Sequence, residues 1–219
     1  MATAVHLPPS DPPAPSRSDT GSVAEALIAL AMTLPLAIWL RFPTLWFLVP
    51  FLILTVTKRP YELYGLTWGK PGTLRFHLLT ATLIFGGYAL LHFGFARLAL
   101  GLHFVPTLPP NPLESAFAQL VVVGLSEEFF FRGYLQTQLD ATYGRPYRFL
   151  GAPWGRGLIY AALLFGACHI VTGDMTRMRV ACFGLFAGWL RARTDSIAVP
   201  AAYHGFANLL YDFMARSMQ

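Results

Sequence analysis

Long apolar stretches separated by short polar segments make up most of this 219-residue chain. We distinguish seven stretches, at residues 23–40, 42–56, 77–100, 113–139, 157–171, 178–190 and 196–213. A membrane-spanning helix needs about 20 apolar residues, or about 17 at the short end, so the second, fifth and sixth stretches are marginal. The pattern predicts an all-α fold, a polytopic membrane helix bundle with about seven transmembrane helices and a range of six to eight.

The composition agrees with a membrane protein and argues against nucleic-acid binding. Hydrophobic residues make up 55% of the chain and charged residues 12%, against about 25% charged residues in soluble domains. The net charge is +5, but the basic residues are scattered between the apolar stretches and do not form one stripe. Ten of them fall in the tail and in the loops at 57–76, 140–156 and 191–195, and four fall on the other side. This asymmetry predicts a cytoplasmic N-terminus and an outside C-terminus.

The chain divides into a short tail and one membrane-embedded domain. Residues 1–21 are rich in proline, lack hydrophobic periodicity and lack the order of regions found in a signal peptide, so they are predicted to be a disordered tail. Residues 22–219 are predicted to form a single domain with its catalytic core at 113–213. Cys168 and Cys182 lie in apolar stretches and are expected to pack as small apolar groups. The alanine-, arginine- and proline-rich composition is typical of a bacterial protein, which predicts a multi-pass protein of the inner (plasma) membrane.

Ionisable residues interrupt the fourth stretch, where Ser126 is followed by Glu127, Glu128 and, after three phenylalanines, Arg132. One ionised residue at the centre of a membrane helix costs roughly 2.5 to 3.5 kcal/mol on insertion scales, so such a cluster is tolerated when its members pair inside the protein. Residues four apart share a helix face, and this spacing recurs through the second half of the chain. The pairs are Glu128 and Arg132, Phe165 and His169, Gly184 and Gly188, and His204 and Asn208.

The residues of these pairs predict hydrolytic chemistry at one depth in the bilayer. At 1.5 Å per residue, Glu127, His169, His204 and Asn208 all fall within about 12 to 18 Å of the cytoplasmic ends of their helices. Glu128 and Arg132 are expected to form a supporting ion pair, which leaves Glu127 as the general base. His169 is expected to share the attacking water, and His204 and Asn208 to donate hydrogen bonds to an oxyanion. Phe165, Gly184 and Gly188 are expected to pack helices closely together.

These four motifs, in this order over about residues 113 to 213, resemble those of the CPBP family, the CaaX protease and bacteriocin-processing enzymes also called Abi. The resemblance implies a glutamate-dependent, metal-independent intramembrane endopeptidase whose first Glu and first His activate water and whose second His and Asn form an oxyanion hole. It implies a membrane-anchored protein or peptide as substrate, in the lipid bilayer. Relatives process prenylated CaaX tails, bacteriocin leaders or, in the myxosortase branch, C-terminal sorting tags, and the residues do not choose among them.

Other interpretations remain open from the sequence. Glu127, His169 and His204 could together ligate zinc, although no His-Glu-x-x-His is present. A catalytically inactive scaffold or immunity protein would keep the same fold, and a transporter would also place charges in the membrane but should show repeated halves. Asp174 lacks the setting of an aspartyl intramembrane protease, and Ser126 lacks that of a rhomboid-like serine protease.

Overall fold

The computed structural model describes residues 21–70, 72–171 and 173–219. Each predicted apolar stretch coincides with one long helix in this part of the chain. The helices are α1 Val23–Leu40, α2 Leu45–Val56, α3 Leu74–Leu98, α4 at residues 112–143, α5 Arg156–Val171, α6 Val180–Thr194 and α7 Ala198–Ser217. Short 3₁₀ turns occur at Tyr61–Tyr64 and Met175–Arg179, and a two-stranded antiparallel hairpin pairs β1 Tyr147–Phe149 with β2 Ala152–Trp154. The mostly helical architecture is confirmed, whereas the tail predicted at 1–21 lies outside the described residues except for Gly21.

The helices differ in their fitness to cross a membrane. Only α1 and α3, among the described helices, are both long and apolar enough to do so by length and composition alone. In the most apolar part of α3 only 6% of the residues are buried, and its leucines are exposed, whereas Phe85 is buried against Tyr203 of α7. A large exposed apolar surface of this kind is typical of contact with lipid. The seven predicted spans are therefore seven helices here, while the number that crosses the bilayer stays a prediction.

Helix α4 carries the charged cluster and is wound unevenly. It consists of α-helical segments at Pro112–Phe117, Ser126–Glu128 and Gln136–Tyr143 and π-helical segments at Ala118–Leu125 and Phe129–Leu135. π-Helical turns are rare and are often found at functional sites. The two wide segments flank the short α-helical piece that holds both glutamates. From Phe129 to Asp140 every residue is buried, so α4 is the central helix of the bundle.

An N-terminal hairpin of α1 and α2 packs against α4. At one end of the hairpin Arg59 donates two hydrogen bonds to Glu25, at 2.6 and 2.7 Å, and the Tyr134 hydroxyl of α4 donates a third at 2.6 Å. At the other end the Trp46 ring lies 4.9 Å from that of Phe130 and packs edge-on against it. These contacts fix the turn between α1 and α2 next to the middle of α4.

Glycines allow α7 to approach α4 closely. A Cβ atom on Gly205 would lie 2.7 Å from Cα of Leu120, and one on Gly124 would lie 2.9 Å from the carbonyl oxygen of Ala201. Real Cβ atoms do not approach other atoms so closely, so the backbones of the two helices touch at this crossing. Small residues that permit such contact are characteristic of helix packing in membranes. The crossing places His204, next to Gly205, against the charged part of α4.

Candidate active site

Glu128, Arg132 and His204 form a buried chain of polar contacts. Arg132 Nε lies 3.0 Å from Glu128 Oε2, and His204 Nδ1 lies 2.8 Å from Glu128 Oε1. The Glu128 side chain is fully buried and that of Arg132 is 1% exposed. Because a carboxylate only accepts hydrogen bonds, His204 Nδ1 carries the hydrogen. Glu128 therefore accepts a hydrogen bond from His204 and forms an ion pair with Arg132. It fixes the His204 ring, which is a contact that the sequence did not predict.

Glu127 points to a different place from Glu128. Its Oε2 atom is buried and has no hydrogen-bond partner among the described residues, and it lies 3.9 Å from His204 Nε2. Glu127 lines a cavity of about 360 Å³ together with His169, which is within the size range of small-ligand sites. The structure thus brings Glu127 and His169 to one cavity, with His204 on the buried side of Glu127.

The environment of His169 is aromatic. His169 Nδ1 lies 2.8 Å from the carbonyl oxygen of Phe165, one turn earlier, so Nδ1 donates and a neutral ring keeps its lone pair on Nε2. The ring of Phe165 packs edge-on against that of His169, with centroids 4.6 Å apart, and the Arg132 guanidinium lies 4.2 Å from the centre of the Phe165 ring. Phe165 therefore contacts both Arg132 of the ion pair and His169. The sequence predicted only that Phe165 packs between helices.

Asn208 lies one turn beyond His204 and has a partner of its own. Its Nδ2 atom donates to Gln119 Oε1 at 2.9 Å. Gln119 lies on α4, eight residues before Glu127 and about 12 Å from it along an ideal helix axis. Asn208 is therefore not in direct contact with the group formed by Glu127, His169 and His204.

Gly184 and Gly188 lie on α6, where they face α5 and α4. A Cβ atom on Gly184 would lie 3.1 Å from Cα of Ala162, and one on Gly188 would lie 2.8 Å from Gln136 Oε1. Both positions thus mark close approaches between helices. Cys168 is buried and lines the cavity beside Glu127, whereas Cys182 is exposed.

Two alternative site chemistries can be compared with the geometry. Among the described residues no group of three or more histidine, cysteine, aspartate or glutamate side chains is arranged to hold a metal ion. Asp174 is fully exposed and begins the turn Met175–Arg179, and the Thr176 hydroxyl and backbone N–H that donate to it hold the pKa of that carboxyl below its usual range. Asp174 therefore has the position of a capping residue.

Several residues of the site were not found from the sequence. The walls of the cavity beside Glu127 include Leu34, Ala37, Ile38, Arg41 and Trp46 from the α1–α2 hairpin. These residues belong to a region without recognisable motifs, so they are found only because the structure places them around the same cavity as Glu127. Gln119 could have been singled out from the sequence, since a carboxamide in an apolar stretch needs a hydrogen-bonding partner.

Comparison with known proteins covers the second half of the chain. Residues 109–210 match the family described as type II CAAX prenyl endopeptidase Rce1-like. This segment belongs to the CPBP family. No curated protein and no solved structure matches the chain.

The CPBP domain includes α4 to the middle of α7, and so it includes Glu127, Glu128, His169, His204 and Asn208. Membership shows a membrane-embedded domain of a protease family. The hairpin of α1 and α2 and the largely exposed α3 lie outside the matched segment. The cavity beside Glu127 is therefore built jointly by the CPBP domain and by helices that the family match does not include.

Proposed function

We propose that this protein is a glutamic-type intramembrane endopeptidase that hydrolyses a peptide bond of a membrane-anchored protein or peptide. The observation that carries the proposal is the cavity shared by Glu127 and His169, which lies directly beside the buried chain of Glu128, Arg132 and His204. All seven helices cross the membrane in this proposal, because α4 to α7 bury their charged groups against one another. The bacterial inner membrane is the proposed location.

Glu127 acts as the general base. It takes a proton from a water molecule held between its free Oε2 atom and His169, and the hydroxide oxygen forms a bond to the carbonyl carbon of the substrate. The proton then passes from Glu127 to the nitrogen of the leaving amine as the carbon–nitrogen bond breaks. Neither a covalent enzyme intermediate nor a metal ion is part of this sequence of steps.

His204 and Asn208 stabilise the oxyanion. Because Nδ1 of His204 donates to Glu128, its Nε2 atom donates to the oxyanion only when the ring carries a hydrogen on both nitrogens. Each preorganised donor of this kind contributes about 3 to 4 kcal/mol in enzymes where one was removed. Gln119 positions Asn208 for the same role by fixing its amide.

A C-terminal segment is the proposed substrate. The cavity beside Glu127 and His169, which is the catalytic cavity of this proposal, is largely apolar. Arg41 is the arginine among the described residues that line it. Arg41 ends α1 in a left-handed conformation, with its backbone N–H bonded to α1, which fixes the start of its side chain at the cavity. A short apolar segment that ends in a free carboxylate would match this arrangement, as in a C-terminal sorting tag or a CaaX-like tail.

The test is cleavage of a library of membrane-anchored reporters by the purified protein in lipid, with products identified by mass spectrometry. The wild-type protein is expected to cleave some reporters, and Glu127→Ala, with unchanged thermal stability, is expected to cleave none. A chelator is expected to leave the activity intact. Loss on chelation with recovery on adding zinc would contradict the proposed chemistry, and absence of cleavage by the wild type across the library would favour an inactive scaffold.

A further inference from the structure

A second cavity, of about 240 Å³, lies at the end of the bundle where α2, α4 and α6 finish. Arg132, Gln136 and Asp140 of α4 line it from one side and Arg191 of α6 from the other. Its mouth is formed by less buried residues of the connecting segments, including Arg145. The catalytic cavity lies instead against the turn between α1 and α2, so the two cavities approach the Glu128–Arg132 pair from different ends of the hairpin.

Four residues that line the second cavity carry buried polar atoms without partners. These atoms are Arg132 Nη1 and Nη2, Gln136 Oε1, Asp140 Oδ1 and Arg191 Nε, none of which has a hydrogen-bond partner among the described residues. The four residues are between 1% and 8% exposed. A buried polar atom without a partner costs about 1 to 3 kcal/mol, and more if it is charged. Five such atoms around one space indicate that the space is occupied by something that forms hydrogen bonds.

The chemistry of the lining favours water as the occupant. The atoms without partners include three donors and two acceptors, and the cavity is lined by three arginines and three acidic residues, so it carries no excess of one charge. An anion would meet Asp140 and a cation would meet Arg191, whereas water both donates and accepts. One water molecule needs about 10 to 15 Å³ of space measured with a water-sized probe, so the cavity holds several.

We propose that this cavity is a water-filled vestibule that hydrates Arg132 from the loop end of the bundle and so stabilises its buried ion pair with Glu128. Arg132 lines the vestibule, its Nε lies 3.0 Å from Glu128 Oε2, and its other two nitrogens have no hydrogen-bond partner among the described residues. Breaking the pairing of a buried charge is strongly destabilising, and a dry vestibule would leave most of this guanidinium unsolvated.

The vestibule therefore has an effect at the active site without contact with substrate. Glu128 pairs with Arg132 through one oxygen and accepts a hydrogen bond from His204 Nδ1 through the other. Through Glu128, the hydration of Arg132 therefore helps to hold the His204 ring in place beside Glu127. This second consequence rests on the proposed peptidase function, whereas the presence of water does not.

The presence of water is tested by cysteine labelling of the full-length protein in lipid nanodiscs. Ala192 lines the vestibule on α6, and Ala187 on the same helix is fully buried away from it. A charged, membrane-impermeant methanethiosulfonate reagent is expected to modify Ala192→Cys at least ten times faster than Ala187→Cys, as measured by mass spectrometry at each position. Thr137→Cys, on the α4 side, provides a second vestibule position. Equal rates, or no modification at either vestibule position, would overturn the proposal.

The effect on catalysis is tested by filling the vestibule. Ala192→Leu is expected to lower kcat at least tenfold, with an unchanged KM and an unchanged melting temperature. Ala99→Leu adds the same volume at an exposed position at the end of α3 and is expected to change none of these. A folded Ala192→Leu protein with the wild-type kcat would show that the vestibule does not act on the site. Failure of the labelling test and failure of the peptidase proposal are thus separate outcomes.

Discussion

Residues 109–210 supply the buried charged groups of the candidate site, whereas residues 34–46 of the N-terminal hairpin supply much of the wall around them. In the matched segment the polar side chains contact one another, as Glu128 contacts both Arg132 and His204. In the hairpin the residues at the cavity are apolar apart from Arg41. For the proposed peptidase, we therefore expect the CPBP domain to carry the chemistry and the helices outside it to take part in the choice of substrate.

The largest expected effect is in the matched segment, at Glu128. Glu128→Gln removes the charge that neutralises Arg132 and is expected to lower the free energy of unfolding by about 3 to 5 kcal/mol, because Arg132 is left buried and unpaired. Denaturation of the purified protein measures this loss. The double variant Glu128→Gln with Arg132→Met is the control and should recover part of the stability without recovering activity, since His204 has lost its charged acceptor. Equal stability of wild type and Glu128→Gln would show that the ion pair is unimportant.

The crossing of α4 and α7 is expected to be the next most sensitive. Gly205→Ala places a methyl group 2.7 Å from Cα of Leu120, so the helices must separate and His204 must move from Glu128. Overpacking of this kind costs about 1 to 3 kcal/mol, and we expect a fall in both melting temperature and kcat. Gly94→Ala on α3, where an added Cβ would meet nothing within 4 Å, is the matched control and should be tolerated. If both glycines tolerate alanine, the close crossing does not position the site.

The link between hairpin and CPBP domain is tested at Glu25. Glu25→Gln weakens the hydrogen bonds from Arg59 and Tyr134 and is expected to lower the free energy of unfolding by about 1.5 kcal/mol. Because the hairpin forms the cavity wall, we expect KM to rise more than kcat falls. Glu114→Gln, at an exposed position near the start of α4, is the control. A change confined to kcat would mean that the hairpin acts on the chemistry and not on substrate binding.

The smallest expected effect concerns the choice of substrate at Arg41. A peptide substrate with a free C-terminal carboxylate should be cleaved about tenfold faster than its amide, which corresponds to about 1.4 kcal/mol. Arg41→Ala should abolish this preference by slowing only the acid substrate, because the amide lacks the charge that Arg41 contacts. Arg97→Ala, an exposed arginine on α3, should keep the preference. An unchanged acid-to-amide ratio in Arg41→Ala would remove the carboxylate from the account of specificity.

The sequence predicted the helices well because each is a long apolar stretch. The predicted and observed limits of α1 are the same, at residues 23 and 40. The hairpin of β1 and β2 was missed because it occupies a short polar connection with no alternation of apolar residues. The π-helical turns on either side of the glutamates were missed too, because a local widening of a helix has no sequence pattern of its own.

The site was predictable where the partners lie four residues apart on one helix. The Glu128–Arg132 pair follows directly from that spacing. Glu128 and His204 are 76 residues apart along the chain, and Gln119 and Asn208 are 89 apart. Both contacts join α4 to α7, so they depend on how these two helices cross. The role of Arg41 was also hidden, because a lone arginine at a helix end is equally typical of a residue at the membrane surface.

The most direct test of the account is the kcat of Glu127→Gln, an uncharged replacement of nearly the same size, in protein whose melting temperature equals that of the wild type. General-base catalysis contributes about 10² to 10⁴-fold, so we predict a kcat reduced by at least about a hundredfold with little change in KM. A folded Glu127→Gln protein that cleaves within about threefold of the wild-type rate would contradict the assignment of Glu127 as the base.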